Sequence, residues 1–136
     1  MSVVIKMELI LKFDFVSSHS LKGHETPHPH LWWLEFSLAG EPIEGKIIDI
    51  VELRERVFEM IAPMRGVYLN EFSGVTQSVR EFPTCETLSV FFYERLHSLI
   101  ARQFLSQNAS LRISSLSVAL CEMDGKEMGA VRLICK

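Results

Sequence analysis

Residues 3–16 read VVIKMELILKFDFV, with Ile5, Met7, Leu9, Leu11, Phe13 and Phe15 at odd positions and Lys6, Glu8, Lys12 and Asp14 among the even ones. Side chains of a strand project alternately to its two faces, so this period of two predicts a long strand with one face buried. The pattern returns after His30: Trp32, Leu34, Phe36 and Leu38 alternate with Glu35 and Ser37 until Gly40-Glu41-Pro42 breaks it. This is a second strand, expected antiparallel to the first. Pro27 and Pro29 have no N–H to give a ladder, so regular strand is expected to begin near His30, with His28 on a stiffened, extended entry. GKIIDI at 45–50 leads into Ile50, Leu53, Val57 and Ile61 at helical spacing, with Asp49 as cap and Ala62-Pro63 as stop. Met64 to Phe82 shows no sustained period and reads as a long loop. PTCE at 83–86 opens a second helix, capped by Thr84 with Glu86 and Thr87 following, whose face of Leu88, Phe92, Leu96 and Leu99 runs to about Gln103. Leu111 and Ile113 start a third strand; the phase flips at Ser114-Ser115 to give Leu116, Val118 and Leu120, the mark of a bulge. Asp124-Gly125 turns the chain into a fourth strand, Gly129 to Cys135. The order ββααββ predicts an α+β fold with a four-stranded antiparallel sheet.

The 136 residues are enough for a single domain, 1–136, that needs no disulfide staples. Cys85, Cys121 and Cys135 are odd in number and lack C-x-x-C spacing, which argues against a disulfide framework and against a cysteine zinc site. A reducing cytoplasm suits them. Lysines interrupt the apolar N-terminus, no small-residue cleavage site follows it, and no apolar run reaches the length of a span, so neither a leader nor a membrane is expected. With a net charge of -3 and scattered basic residues there is no footprint for nucleic acid. A small molecule or a protein partner remains.

Chemistry concentrates in HSLKGHETPHPH, residues 19–30, which holds His19, His24, His28 and His30 and leaves His97 alone elsewhere. At strand spacing His28 and His30 point the same way, a separation suited to one metal ion. His19, at the end of the first strand, arrives from the neighbouring strand as a third ligand if the two strands pair. Three protein ligands leave an open coordination position, which is the pattern of catalytic rather than structural zinc. The plainer alternative is a set of solvated loop histidines. Against it, the pair continues the apolar face of Trp32 and Leu34, where unpartnered imidazoles cost desolvation energy.

Several separated motifs resemble the 6-pyruvoyl-tetrahydropterin synthase family, which includes the 6-carboxytetrahydropterin synthases of the queuosine pathway. FDFVSSHSL at 13–21 is similar to its first-strand motif ending in a zinc histidine, and HPH at 28–30 to its H-G-H pair. GKIIDI resembles the motif opening the first helix, LN at 69–70 the L-N pair, PTCETL at 83–88 the P-T-x-E-N-L motif, and Glu122 the glutamate that anchors a pterin ring. The resemblance spans essentially the whole chain. It implies a tunnelling fold: ββααββ subunits with both helices on one face, closing as a barrel in a trimer, with two trimers stacking to a hexamer and active sites between subunits. It also implies a Zn2+ ion held by His19, His28 and His30 that binds the hydroxylated side chain of 7,8-dihydroneopterin triphosphate and makes the adjoining C–H protons removable. Glu122, helped by Thr84 and Glu86, would then accept hydrogen bonds from the pterin. A helix-capping role is the alternative for Glu86, a solvated strand end for Glu122.

The chain departs from the family at its proton-transfer residues. The family's cysteine, four positions before the first histidine of H-x-H, is His24 here, and Arg65 and Gly66 stand where an Asp-His pair precedes L-N. Neither arginine nor glycine relays a proton at neutral pH. Glu25-Thr26-Pro27-His28-Pro29-His30 resembles the E-x-x-H-G-H variant of relatives that cleave the same substrate to 6-hydroxymethyl-dihydropterin for folate synthesis. That makes Glu25 the expected acid/base, with His24 the second candidate. The expected activity is a zinc-dependent lyase. A homologue that binds zinc and a pterin without turnover is the alternative, with Arg65 kept for an anionic ligand; a structural zinc protein is the third. Cys85 and Cys121 adjoin carried-over glutamates, yet buried free thiols usually behave as small inert hydrophobes. Leu31 and Trp33 fall on the strand face away from the histidines, where a homo-oligomer would cover them.

Overall fold

In the alternating N-terminal segment, a computed structural model, which describes residues 6–21 and 24–135 and leaves out the side chains of His24 and Glu25, places strand β1 at Glu8–Leu21. The expected start at residue 3 lies outside the described residues. Leu11, Phe13 and Phe15 are buried and Lys12 and Asp14 exposed, so the alternation divides the strand's faces as expected. The strand outruns the apolar pattern, because Ser17 and His19 continue the buried face with polar side chains.

Strand β2, His24–Ala39, pairs antiparallel with β1 from Glu8↔Ala39 to Leu21↔His24. It therefore begins six residues before the expected His30 (30 − 24) and takes in both prolines. Its other neighbour, β3, pairs with it only from Leu31 onward, so one edge of β2 is open beside Pro27 and Pro29, the setting in which a strand tolerates residues without N–H. Strands β3, Arg112–Cys121, and β4, Glu127–Ile134, complete an antiparallel sheet of order β1-β2-β3-β4. The register passes from Ser37↔Ser115 to Leu38↔Ile113, which leaves Ser114 as the extra residue of the expected bulge.

Helix α1, Ile50–Ile61, starts at Asp49, whose carboxylate accepts from the Val51 and Glu52 amides. Met64 to Phe82 is not one loop. It holds a 3-10 turn at Leu69–Glu71 and a short helix α2, Gln77–Glu81, capped by Thr76. Helix α3, Cys85–Gln103, opens on a reciprocal cap in which Thr84 Oγ1 accepts from Thr87 N and Thr87 Oγ1 from Thr84 N, both at 3.2 Å. Thr87, not Glu86, is thus the capping partner.

The core lies between the helices and one sheet face. Phe15 stacks on Trp32 with centroids 6.3 Å apart and meets Phe92 of α3 edge-on at 5.8 Å. The other face carries Trp33, 36% exposed, and the Lys12–Glu35 ion pair at 3.4 Å. No helix among the described residues is long and apolar enough to cross a membrane.

Candidate functional site

His19 faces the helix side of β1 and is 5% exposed. It lies directly opposite His28 in the β1–β2 ladder, and cross-strand partners share a face, so His19, His28 and His30 project to the same side. The His19 and His30 rings meet edge to face with centroids 4.8 Å apart, and both rings contact Trp32 edge-on. The indole is the floor of the pair, its own N–H tied to the Ser17 carbonyl at 3.2 Å.

Each of these two imidazoles is held by a backbone carbonyl from another element. His19 Nδ1–H donates to Pro83 O at 2.8 Å, and His30 Nδ1–H donates to Cys121 O at 3.1 Å. A carbonyl only accepts, so in the neutral ring the proton sits on Nδ1 and the lone pair on Nε2. Burial pushes the His19 pKa below its ordinary value; the Pro83 carbonyl opposes this, and His30 and His28 nearby add to it. A buried neutral imidazole with its second nitrogen free is a metal-ligating donor, and the Nδ1–H···O=C contact is the usual outer support of one. Among the described residues no three His, Cys, Asp or Glu side chains are gathered as a metal set, and His28 is exposed.

The same two carbonyls bring up the other candidate residues. Pro83 precedes Thr84, and Cys121 precedes Glu122, so the start of α3 and the β3–β4 turn both abut the histidines. Glu122 is exposed, with its main chain closing the turn through Glu122 N–H to Lys126 O at 2.8 Å. Thr84's hydroxyl is engaged in the helix cap. Glu86 is exposed and lines, with Thr76, Thr87 and Glu94, a cavity of about 350 Å3 between α2 and α3. The structure therefore sets Glu86 in that groove and Thr84 and Glu122 beside the histidines. The candidate acid/base side chains, Glu25 and His24, lie outside the described residues. Burial, with Glu86 and Cys121 adding to it, pushes the Cys85 thiol up to about 11, which fits an inert thiol.

Sequence reasoning did not find what holds the β1 end of the site. Residues 66–70 run along the free edge of β1: Gly66 N–H donates to Val16 O at 2.7 Å, and Ser18 N–H to Val67 O at 2.9 Å. The Asn70 side chain continues the row on Ser20. The only sequence signal was the Leu69-Asn70 pair.

With this geometry in place, the profile of the 6-pyruvoyl tetrahydropterin synthase family matches residues 8–129. The chain belongs to that family. No curated protein matches it in sequence. Solved structures are similar in fold at low identity. An uncharacterised protein of Wolinella succinogenes is 14% identical with a TM-score of 0.71, over 98% of this chain and 100% of that one. The 6-pyruvoyl tetrahydropterin synthase of Caenorhabditis elegans is 12% identical with a TM-score of 0.69, over 100% of both chains. That of Plasmodium vivax is 18% identical with a TM-score of 0.67, over 97% of this chain and 100% of that one. Further structures of the P. vivax enzyme carry alanine or cysteine in place of a glutamate described as a catalytic residue. Within the family, the antiparallel four-stranded sheet with its helices is the tunnelling-fold subunit.

Proposed function

We propose that this protein is a zinc-dependent lyase of the pterin pathway. Its substrate is 7,8-dihydroneopterin triphosphate, whose side chain it cleaves to leave 6-hydroxymethyl-dihydropterin. The observation that carries this reading is the pair of carbonyl-locked imidazoles, His19 and His30, with ring centroids 4.8 Å apart against Trp32. That donor set fits Zn2+, and His28 is the third ligand. It is the cross-strand partner of His19, and directly paired residues have Cβ atoms about 5 Å apart, a spacing compatible with a shared ion. Zinc bound there supplies Lewis acidity to the substrate's side-chain hydroxyls.

The chain's own residues do the rest. Glu25 takes the proton of the 2'-hydroxyl as the C1'–C2' bond opens, and the bond's electron pair passes into the pterin ring. The proton is returned to C1' to give the hydroxymethyl group, and the remaining two carbons leave as a triphosphate-bearing aldehyde; His24 is the second group able to hold that proton. The P. vivax relative, in which a glutamate is described as catalytic, supports this role for Glu25 over that of a solvated residue. Glu122 accepts hydrogen bonds from the pterin's N–H groups, with Thr84 beside it, and Glu86 joins them only if the pterin reaches the groove between α2 and α3. The working form is a cytoplasmic homo-oligomer, trimer or hexamer, with sites between subunits. A second reading is favoured by Arg65 and Gly66, which stand where the family's Asp-His pair is expected: the chain binds zinc and a pterin without turning it over.

Incubation of the zinc-loaded protein with dihydroneopterin triphosphate, followed by mass spectrometry, separates the two. The lyase yields 6-hydroxymethyl-dihydropterin, and Glu25→Gln slows it at least 100-fold, the range of general acid–base effects. Unchanged turnover in Glu25→Gln removes that residue from the chemistry, and tight pterin binding without product selects the second reading.

A further inference from the structure

Ser20, the residue after His19, has no partner on β2. The ladder passes from His19↔His28 to Leu21↔His24, so one residue of β1 spans what three residues of β2 bypass. Like Val16 and Ser18, Ser20 turns its main-chain groups to the outer edge of β1, away from β2, where N–H and C=O groups left unpaired are costly once they leave water. On β1's free edge, the even residues are served by the segment after α1: Val16 through Gly66, and Ser18 through Val67. At Ser20 the backbone of that segment has turned away into the Leu69–Glu71 turn, and a side chain takes its place. Asn70 Oδ1 accepts from Ser20 N–H at 2.9 Å, and Asn70 Nδ2–H donates to Ser20 O at 2.9 Å. A carboxamide carries a donor and an acceptor side by side, as a peptide group does, so it reproduces one rung of a strand. Ser20 Oγ and the Tyr68 hydroxyl share a further bond at 2.5 Å.

We infer that Asn70 is a positioning residue for the metal site: its carboxamide substitutes for the missing strand rung at Ser20 and so fixes the backbone that aims His19 at the ion. The inference rests on the zinc reading for its consequence but not for its geometry. Without the clamp, residues 19–21 are held by β2 on one side only, across an irregular register. His19 must then be ordered when the metal binds, which weakens binding. Outer supports of metal ligands typically change affinity by about 10- to 100-fold, and that is the range expected here.

The test uses the full chain. Zinc affinity is measured by competition with a chromophoric chelator for wild type, Asn70→Ala and Ile100→Ala, the last removing buried volume at the far end of α3. Asn70→Ala should bind zinc about 10- to 100-fold more weakly, while Ile100→Ala, destabilised at least as much in urea, stays within about twofold of wild type. Asn70→Ser, whose hydroxyl is too short to span both groups, replaces the alanine variant if that one does not fold. In parallel, amide exchange on the metal-free chain should show the Ser20 amide losing protection in the Asn70 variant while Phe15 keeps its own. Wild-type zinc affinity in a folded Asn70 variant overturns the inference and leaves the zinc reading intact. Unchanged Ser20 protection overturns it as well. A wild-type chain that binds no zinc overturns the zinc reading, and the exchange result then decides the clamp by itself.

Discussion

At the scale of single residues, burial favours the neutral form of His19. His19 has its pKa lowered by burial, so as pH falls the unfolded chain takes up a proton before the folded one does. Stability from this group is present in full above the ordinary histidine value of 6.5 and is lost as pH falls through the depressed one. The urea midpoint of the metal-free chain should therefore drop as pH falls below about 6.5, with a shallower drop in His19→Asn; equal slopes would show that the ring does not titrate as its burial implies. His28 carries the opposite expectation. It is exposed, so His28→Ala should leave the unfolding free energy of the metal-free chain in urea within about 0.5 kcal/mol of wild type. The purified wild type should carry about one zinc per chain, and the variant should lose it; metal analysis showing equal zinc removes His28 from the ligand set. For Cys85, a thiol pushed up to about 11 is only about one part in a thousand thiolate at pH 8. Iodoacetamide should label it about 100-fold more slowly in the native chain than in urea, and fast native labelling would revive a catalytic thiol.

At the scale of elements, the start of α3 does two jobs. The Thr84 cap ends the preceding extended segment and fixes Pro83, whose carbonyl orients His19. Thr84→Ala should cost about 1 kcal/mol in urea unfolding, the usual effect of losing such a cap, and should also weaken zinc. A cost in stability with zinc affinity unchanged would mean that Pro83 keeps its place without the cap. Elements whose own residues carry a period were legible: β1 from its odd-numbered apolar residues, α1 from Leu53, Val57 and Ile61, and the Ser114 bulge from the phase flip. The misread ones are fixed by distant partners. Pro27 and Pro29 sit inside β2 because β3 pairs with it only from Leu31 onward, which no local pattern records. Helix α2 is only 5 residues, too short for a helical period to declare itself. The His28–His30 spacing could be seen in the sequence, whereas the carbonyls that orient His19 and His30 come from 64 and 91 residues away, and the Asn70 clamp from 50. Backbone acceptors leave no mark in side-chain composition.

At the scale of the whole molecule, the sheet has two unequal edges. The His19 end of β1 is covered by residues 66–70, while among the described residues nothing pairs with the outer edge of Glu8–Phe15 or with that of β4. An open strand edge invites pairing with another chain, and β4 also exposes Met128 and Ile134, the latter 75% accessible. One face of the sheet is closed by helices and the other bears Trp33, so copies joined β4 to β1 would curl into a barrel with Trp33 on its inner wall. The covered end of β1 limits such pairing to the half of the strand remote from His19. The family resemblance implies that three copies close the ring, so native mass spectrometry should find a trimer or a multiple of it. Ile134→Lys places a charge on the exposed β4 edge where a monomer loses little, about 0.5 kcal/mol at most. It should lower the observed mass toward one chain while the circular dichroism spectrum is retained. A wild-type chain that stays monomeric at micromolar concentration would mean that these edges are solvated, and that a complete site forms within one subunit.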